Sequence, residues 1–199
     1  MEIKHILIFI VIILSIIRLR LARQSATCKE KKKGEISNRW TYPMLFIFYM
    51  AIILGSILEN YFLVKTLNIF ISSFGLCTYM IGIVGRNKAI KTLGKYWSTH
   101  IEIRKGQRIV QNGPYKYIRH PGYLSLIAES ISIPLILNTY YILLGVILIY
   151  TPLVFVTVKL EDRDMGKKIG AEFTAYKKKV YAFIPRMLFG IPFKNRSKP

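Results

Sequence analysis

The stretch Pro121-Gly-Tyr-Leu-Ser-Leu-Ile-Ala-Glu129-Ser-Ile-Ser-Ile-Pro-Leu-Ile-Leu137, followed by Asn138-Thr139 and the apolar run Tyr140 to Leu160, decides the fold. Each apolar run could cross the ~30 Å of hydrocarbon in a bilayer. Only two turn-forming residues separate them, so the pair must form a tight antiparallel helical hairpin. Pro121 suits the first helical position, where its missing amide would be unpaired in any case. Pro152 should kink the second helix, because it lacks an amide and crowds the preceding turn. A kink there opens room between the two helices.

Working outward, three more apolar runs precede the hairpin: Ile3 to Ala22, Tyr42 to Leu58 and Leu67 to Val84. The first is uninterrupted only from Ile6 to Ile17, so it spans only if Arg18 and Arg20 snorkel to the interface. A cleaved signal peptide fits less well, since Arg18, Arg20 and Arg23 stand where small residues belong. With 199 residues the chain is one domain or two small ones. A mean hydropathy of +0.34 alongside 20% charged residues means that the charges are segregated. Of the 30 Lys and Arg, 28 lie from Arg18 to Arg39, from Arg86 to Arg119 or from Lys159 onward; Lys4 and Lys65 are the exceptions. The positive-inside rule then puts the N-terminus outside and the C-terminus in the cytoplasm. The expected fold is an all-α, multi-pass integral membrane protein of five transmembrane helices with a C-terminal amphipathic interfacial helix. Its domains are a three-span part, 1–92, with a basic cytoplasmic loop, and a core, 93–199, holding a re-entering cytoplasmic loop, the hairpin and a lid helix.

The formal charge of +20 could also signal nucleic acid, but such a module would carry it on a soluble fold. Here it indicates a cytoplasmic face against anionic inner-leaflet lipid, with the run Lys29 to Lys33 a solvated cluster at the headgroups. Two cysteines, Cys28 and Cys77, exclude a disulfide framework, and His5, His100 and His120 show no ligand spacing, so no metal is expected.

Chemistry concentrates where the hairpin opens. Arg119 and His120 sit at the start of a helix, whose free amides and dipole favour an anion, unless they only anchor it at the headgroups. Glu161, Asp162 and Asp164 lie where the second helix leaves the membrane; a solvated acidic turn paired with Lys167 and Lys168 is the plainer reading. The hairpin brings the two clusters to one depth, as a zwitterionic ligand requires. Phe173, Tyr176 and Val180 recur at helical spacing before Pro185, giving a helix that either lies on the membrane or closes over the hairpin. Glu129, with Ser125 and Ser132 on its face, lines a substrate tunnel or is a buried structural carboxyl.

Leu93-Gly-Lys-Tyr-Trp97-Ser98, Ile101-Glu-Ile-Arg-Lys-Gly106, Val110, Gly113-Pro-Tyr115, Arg119-His-Pro-Gly-Tyr123, Glu161-Asp-Arg163, Gly170, Tyr176 and Ile184-Pro185 together resemble the isoprenylcysteine carboxyl methyltransferase family. The resemblance covers about residues 93 to 186; the first three spans match only in number and topology. Arg-His-Pro-x-Tyr alone is a weak motif, and its combination with the other segments is specific. The resemblance implies a membrane methyltransferase that holds S-adenosyl-L-methionine at the cytoplasmic mouth of the hairpin and takes a lipophilic acceptor from the bilayer. It implies that His120 and Pro121 hold the methionine carboxylate, and that Glu161 and Asp162 receive the amino group or ribose hydroxyls. Tyr115, Tyr123, Tyr176, Ile184 and Pro185 would pack the adenosine, with Gly113 in the same cofactor set. Arg119 and Glu161 would be the catalytic groups, and Ser125, Glu129 and Thr157 would line the tunnel.

Two positions depart from the family pattern. The acidic pair is Glu-Asp where Glu-Glu is usual, and Thr157 stands where an arginine is common. An isoprenylcysteine-like carboxylate is therefore one acceptor, and a phenol, enol, thiol or lipid amine is another. An NADPH-dependent sterol-type reductase shares a similar Arg-His-Pro-x-Tyr, but five spans and Gly122 stand against it. A non-enzymatic membrane scaffold is the remaining reading.

Overall fold

A computed structural model describes residues 3–26, 35–98, 100–103 and 108–185. Their helices are α1 (Ile3–Ala26), α2 (Thr41–Phe62), α3 (Ile69–Leu93), α4 (Pro121–Leu137), α5 (Tyr140–Gly145), α6 (Thr151–Ile169) and α7 (Ala171–Lys179). Short 3₁₀ turns at Gly94–Tyr96 and Gly113–Lys116 punctuate the connection between α3 and α4. The fold departs from all-α at one place. Strands β1 (Glu35–Ser37) and β2 (Ile101–Ile103) pair antiparallel, Ile36 opposite Glu102. Cys28 and the basic run Lys29 to Lys33 lie outside the described residues.

Among the described residues, three helical stretches, Thr41–Phe62, Ile69–Tyr96 and Tyr140–Ile169, are long and apolar enough to cross a membrane; Pro121–Leu137 is apolar but shorter. Their outer faces expose Ile47, Leu54, Phe70, Phe74, Ile81 and Leu148, which water would not tolerate as a continuous surface. The protein is an integral membrane protein.

The hairpin forms with the expected joint. Asn138 adopts the left-handed conformation and Thr139 leads directly into α5. The joint is fastened from outside: Asn138 donates to Ser72 Oγ at 2.7 Å and accepts from the Asn68 amide at 2.9 Å. Glu59 of α2 accepts from the Tyr141 and Ile142 amides at 3.1 and 2.9 Å, capping α5 with a carboxylate where its dipole is positive. Where Pro152 removes an amide, the helix widens into a π turn at Val146–Tyr150 and continues into α6.

α4 packs most closely on α3 rather than on its hairpin partner. The reason is glycine. A Cβ on Gly75 would stand 2.8 Å from the Ile136 amide nitrogen, and one on Gly82 would stand 2.9 Å from Glu129 Cγ. Without those carbons the two backbones approach, as small residues permit between membrane helices.

Arg18 does not snorkel. Its Nε lies 2.7 Å from Glu129 Oε2, and its guanidinium carbon sits 3.4 Å from the Tyr49 ring centroid. Arg86 of α3 holds the other carboxylate oxygen at 2.8 Å. Glu129 of α4, with the Tyr49 ring of α2 beside Arg18, keeps both arginines inside the bundle, because a buried cation with such partners has less need of water.

Candidate active site

Arg119 and His120 stand at the start of α4, and Asp162 of α6 faces both. Asp162 Oδ2 accepts from Arg119 Nη2 and Oδ1 from His120 Nε2, each at 2.8 Å, with Lys177 Nζ 3.4 Å from Oδ2. Arg119 Nη1 donates to the Lys177 and Val180 carbonyls at 3.1 and 2.6 Å. These oxygens end α7, so one guanidinium caps that helix and pairs with α6 at once. The chain after α7 then runs beside the clamp: the Arg119 and His120 amides donate to the Tyr181 and Ala182 carbonyls at 2.8 and 3.0 Å.

α7 is bound to the protein rather than spread on a lipid surface. Phe173, Tyr176 and Val180 are buried against Ile109, Met165 and Ile169, while Lys177, Lys178 and Lys179 face outward. The Tyr176 hydroxyl donates to the Tyr115 carbonyl at 2.6 Å. Burial pushes both phenols well above their usual value, for Tyr115 with help from the Glu161 carboxylate and for Tyr176 with the nearby Arg119 guanidinium opposing. Tyr176 thus keeps the proton with which it holds Tyr115.

Against this clamp lies a cavity of about 210 Å³. Of the residues expected to bind cofactor or act in catalysis, Tyr115, Arg119, His120, Tyr123, Glu161 and Tyr176 line it, and so does Thr157. Others stand apart for identifiable reasons. Asp162 is committed to the clamp. Gly113, at φ 56°, lets the 3₁₀ turn settle on Thr92, whose Oγ1 would meet a Cβ at 2.8 Å. Pro121 is buried as the first residue of α4. Ser125 packs on α3 at Gly85, and Glu129 is fully buried between its two arginines. Ile184 is half exposed and Pro185 partly buried, both off the cavity wall.

Much of the remaining wall comes from residues to which sequence reasoning gave no role at the site. α2 contributes Thr41, Tyr42, Leu45 and Phe46; α3 contributes Arg86; the connection to α4 contributes Trp97, Ser98, His100, Arg108, Ile109 and Val110. Trp97, Ser98 and Val110 stand within the family-like segments and so carried a signal. The α2 residues carried none, because an apolar side chain facing a cavity reads the same as one facing lipid.

The wall is thus polar and aromatic where α4, α6 and α7 meet and mainly apolar along α2. The polar part holds both signs of charge, with Arg119 and His120 near Glu161. Arg119 Nε is buried and has no acceptor among the described residues. That donor set, with Tyr115, Tyr123 and Tyr176 around it, fits a zwitterionic cofactor with an aromatic base. Among the described residues no three His, Cys, Asp or Glu side chains converge as a metal-binding group.

The sequence profile of the isoprenylcysteine carboxyl methyltransferase (ICMT) family matches residues 73–167. The uncharacterized protein YpbQ of Bacillus subtilis (strain 168) is 30% identical over 163 residues, covering 80% of this chain and 94% of that protein. Protein-S-isoprenylcysteine O-methyltransferase B of Arabidopsis thaliana is 24% identical over 127 residues, 63% of this chain and 61% of the plant protein. Among solved structures, the eukaryotic intramembrane Ras methyltransferase ICMT superposes with a TM-score of 0.58 at 25% identity, covering 79% of this chain. The match spans about half, 54%, of that larger protein.

Proposed function

Because the chain belongs to the isoprenylcysteine carboxyl methyltransferase family, we propose that it is an S-adenosyl-L-methionine-dependent methyltransferase acting at the cytoplasmic membrane face on a lipophilic acceptor. The observation that carries this reading is a cavity with a charged aromatic mouth on one side and the apolar wall of α2 on the other. When bound, S-adenosyl-L-methionine supplies an electrophilic methyl group on sulfur. His120 and Arg119 bind the cofactor's carboxylate, Glu161 receives its amino group or ribose hydroxyls, and Tyr115, Tyr123 and Tyr176 enclose the adenosine. Asp162 orients His120 and Arg119 from behind. Arg119 and Glu161 are the charged groups nearest the reacting centre. α7 closes the site and excludes water. Positioning and dehydration supply most of the acceleration in such a displacement.

A five-span topology with an external N-terminus and a cytoplasmic site accompanies this reading. The β1–β2 ladder supports it by holding the α1–α2 and α3–α4 connections on one side of the bundle. The Asn38 amide reaches Asp164 Oδ2 there at 3.0 Å, so the end of α6 is on the same side. Those segments hold nearly all of the basic residues. The acceptor is an isoprenylcysteine-like carboxylate or another oxygen, sulfur or nitrogen nucleophile on an apolar body.

Calorimetric titration of the purified protein with S-adenosylhomocysteine tests the reading. Binding is expected, with His120→Ala and Glu161→Ala each weakening it about tenfold or more, the worth of a charge-assisted hydrogen bond. An absence of binding, or unchanged affinity in both variants, refutes it.

A further inference from the structure

α7 supplies Phe173 and Tyr176 to the cavity wall, so the cavity is complete only while this helix is seated. At 9 residues, α7 is too short to persist as a helix by itself in water. Whatever keeps it seated therefore decides whether the cavity is closed. Its buried face accounts for part of the hold, through Phe173, Tyr176 and the following Val180. Its outer face ends in Lys177, Lys178 and Lys179, all exposed.

The depth of that run in the membrane follows from α3. From Ile69 to Lys88, the first exposed charge on that helix, the rise is about 28 Å, close to the thickness of the hydrocarbon layer. Lys88 and Lys91 thus mark the headgroup layer on the basic side. Ser125 of α4 meets α3 at Gly85, and Gly113 meets it at Thr92, so Arg119 stands at the same level. Arg119 in turn holds the carbonyls of Lys177 and Val180, which fixes the lysines at headgroup depth. One carboxylate, Asp162, lies 3.4 Å from Lys177 Nζ, but it is buried and already holds Arg119 and His120. Glu172 is in the first turn of α7, at the opposite end of the helix. The result is a cationic edge at the depth where an anionic phospholipid presents its phosphate.

We propose that headgroups of anionic phospholipid in the leaflet on the basic side seat on Lys177, Lys178 and Lys179 and hold α7 closed over the cavity, so that lipid charge governs how firmly the site retains its ligand. This rests on the proposed topology and on the methyltransferase reading, to which it adds a regulating partner. Attraction of one near-surface lysine to an anionic leaflet is worth about fivefold in an equilibrium and decays within a Debye length. A ligand shifts a two-state balance only by binding one state better. The closed state is the better one here, because the Arg119 contacts keep the lysines at the headgroups, whereas a released and melted α7 lets them move away.

Hydrogen exchange of the α7 amides, read by mass spectrometry on the full chain in nanodiscs, tests this without a bound cofactor. Discs of phosphatidylcholine alone are compared with discs of equal parts phosphatidylcholine and phosphatidylglycerol. Exchange is expected to be at least about fivefold slower in the anionic discs. Lys178→Gln combined with Lys179→Gln, which leaves Lys177 beside Asp162, should remove most of that difference. Lys88→Gln combined with Lys91→Gln, at the same depth on α3, should keep it. Dissolved glycerol phosphate added to phosphatidylcholine discs should not protect α7. S-adenosylhomocysteine should bind severalfold more tightly in the anionic discs. The proposal is overturned if wild-type α7 exchanges equally in the two membranes, a comparison that needs no variant. It is overturned equally if the folded α7 variant keeps the full difference, if the α3 variant loses it, or if dissolved glycerol phosphate protects as well as the lipid. Lipid protection of α7 with no binding of S-adenosylhomocysteine in either disc would instead count against the cofactor reading alone.

Discussion

Asp162 is read most simply as a cofactor ligand, yet its two oxygens hold Arg119 and His120. Arg119 in turn spends both terminal nitrogens, one on Asp162 and one on the end of α7, so only Nε is left for a ligand. The aspartate thus shapes the site from behind. With side-chain exposures of 7% and 8% for Arg119 and Asp162, breaking this pair strands a buried cation. Asp162→Ala should cost about 3–5 kcal/mol, visible as a lowered melting temperature in detergent. Asp162→Glu should cost less, since the charge is retained; equal stability of wild type and the alanine variant would contradict the clamp. That Arg119, His120 and Asp162 meet was legible in the sequence, because a two-residue joint forces the open ends of a hairpin together. That Asp162 faces the clamp while Glu161 faces the cavity was not legible. Adjacent residues on a helix differ by about 100° in direction, and only packing decides which points inward.

At the scale of elements, α7 is a strap fixed by Arg119 at its end and by the Tyr176 hydroxyl on the Tyr115 carbonyl. Its amphipathic spacing was visible in Phe173, Tyr176 and Val180, but the same spacing serves a membrane surface or a protein groove. Ile109 from the α3–α4 connection, together with Met165 and Ile169 of the preceding helix, decides for the groove. Because the phenols of Tyr115 and Tyr176 ionise less readily when folded, the native chain keeps protons that the unfolded chain loses above pH ~10. Their stabilisation is full below that pH and is lost as pH rises toward the raised folded values. Melting temperature should fall as pH climbs above about 10, and the fall should be shallower in Tyr176→Phe. An identical slope in the two proteins would show that Tyr176 plays no part. Tyr176→Phe should also cost about 1 kcal/mol at neutral pH, by losing the hydrogen bond to Tyr115.

For the whole molecule, the bundle is organised on α4, gripped by α3 through Gly75 and Gly82 and by α1 and α3 through the Arg18–Glu129–Arg86 triad. Gly82→Leu should push α4 off α3, since even a Cβ would meet Glu129 at 2.9 Å. The expected result is loss of protease resistance in membranes rather than a local change. Glu129→Ala should destabilise by about 3–5 kcal/mol by leaving two buried arginines unpaired, with a Tm measurement as the check. Glu129→Gln should fall between, keeping an acceptor without the charge.

Hydropathy along the chain was enough to locate the long apolar helices and the hairpin joint. Hydrocarbon thickness and the cost of charge transfer act on each segment by itself, so they leave their mark locally. The triad and the α2 wall left no such mark. Each depends on which helix faces which, a matter settled by the close approach of glycine-bearing backbones and by buried charges finding partners more than forty residues away.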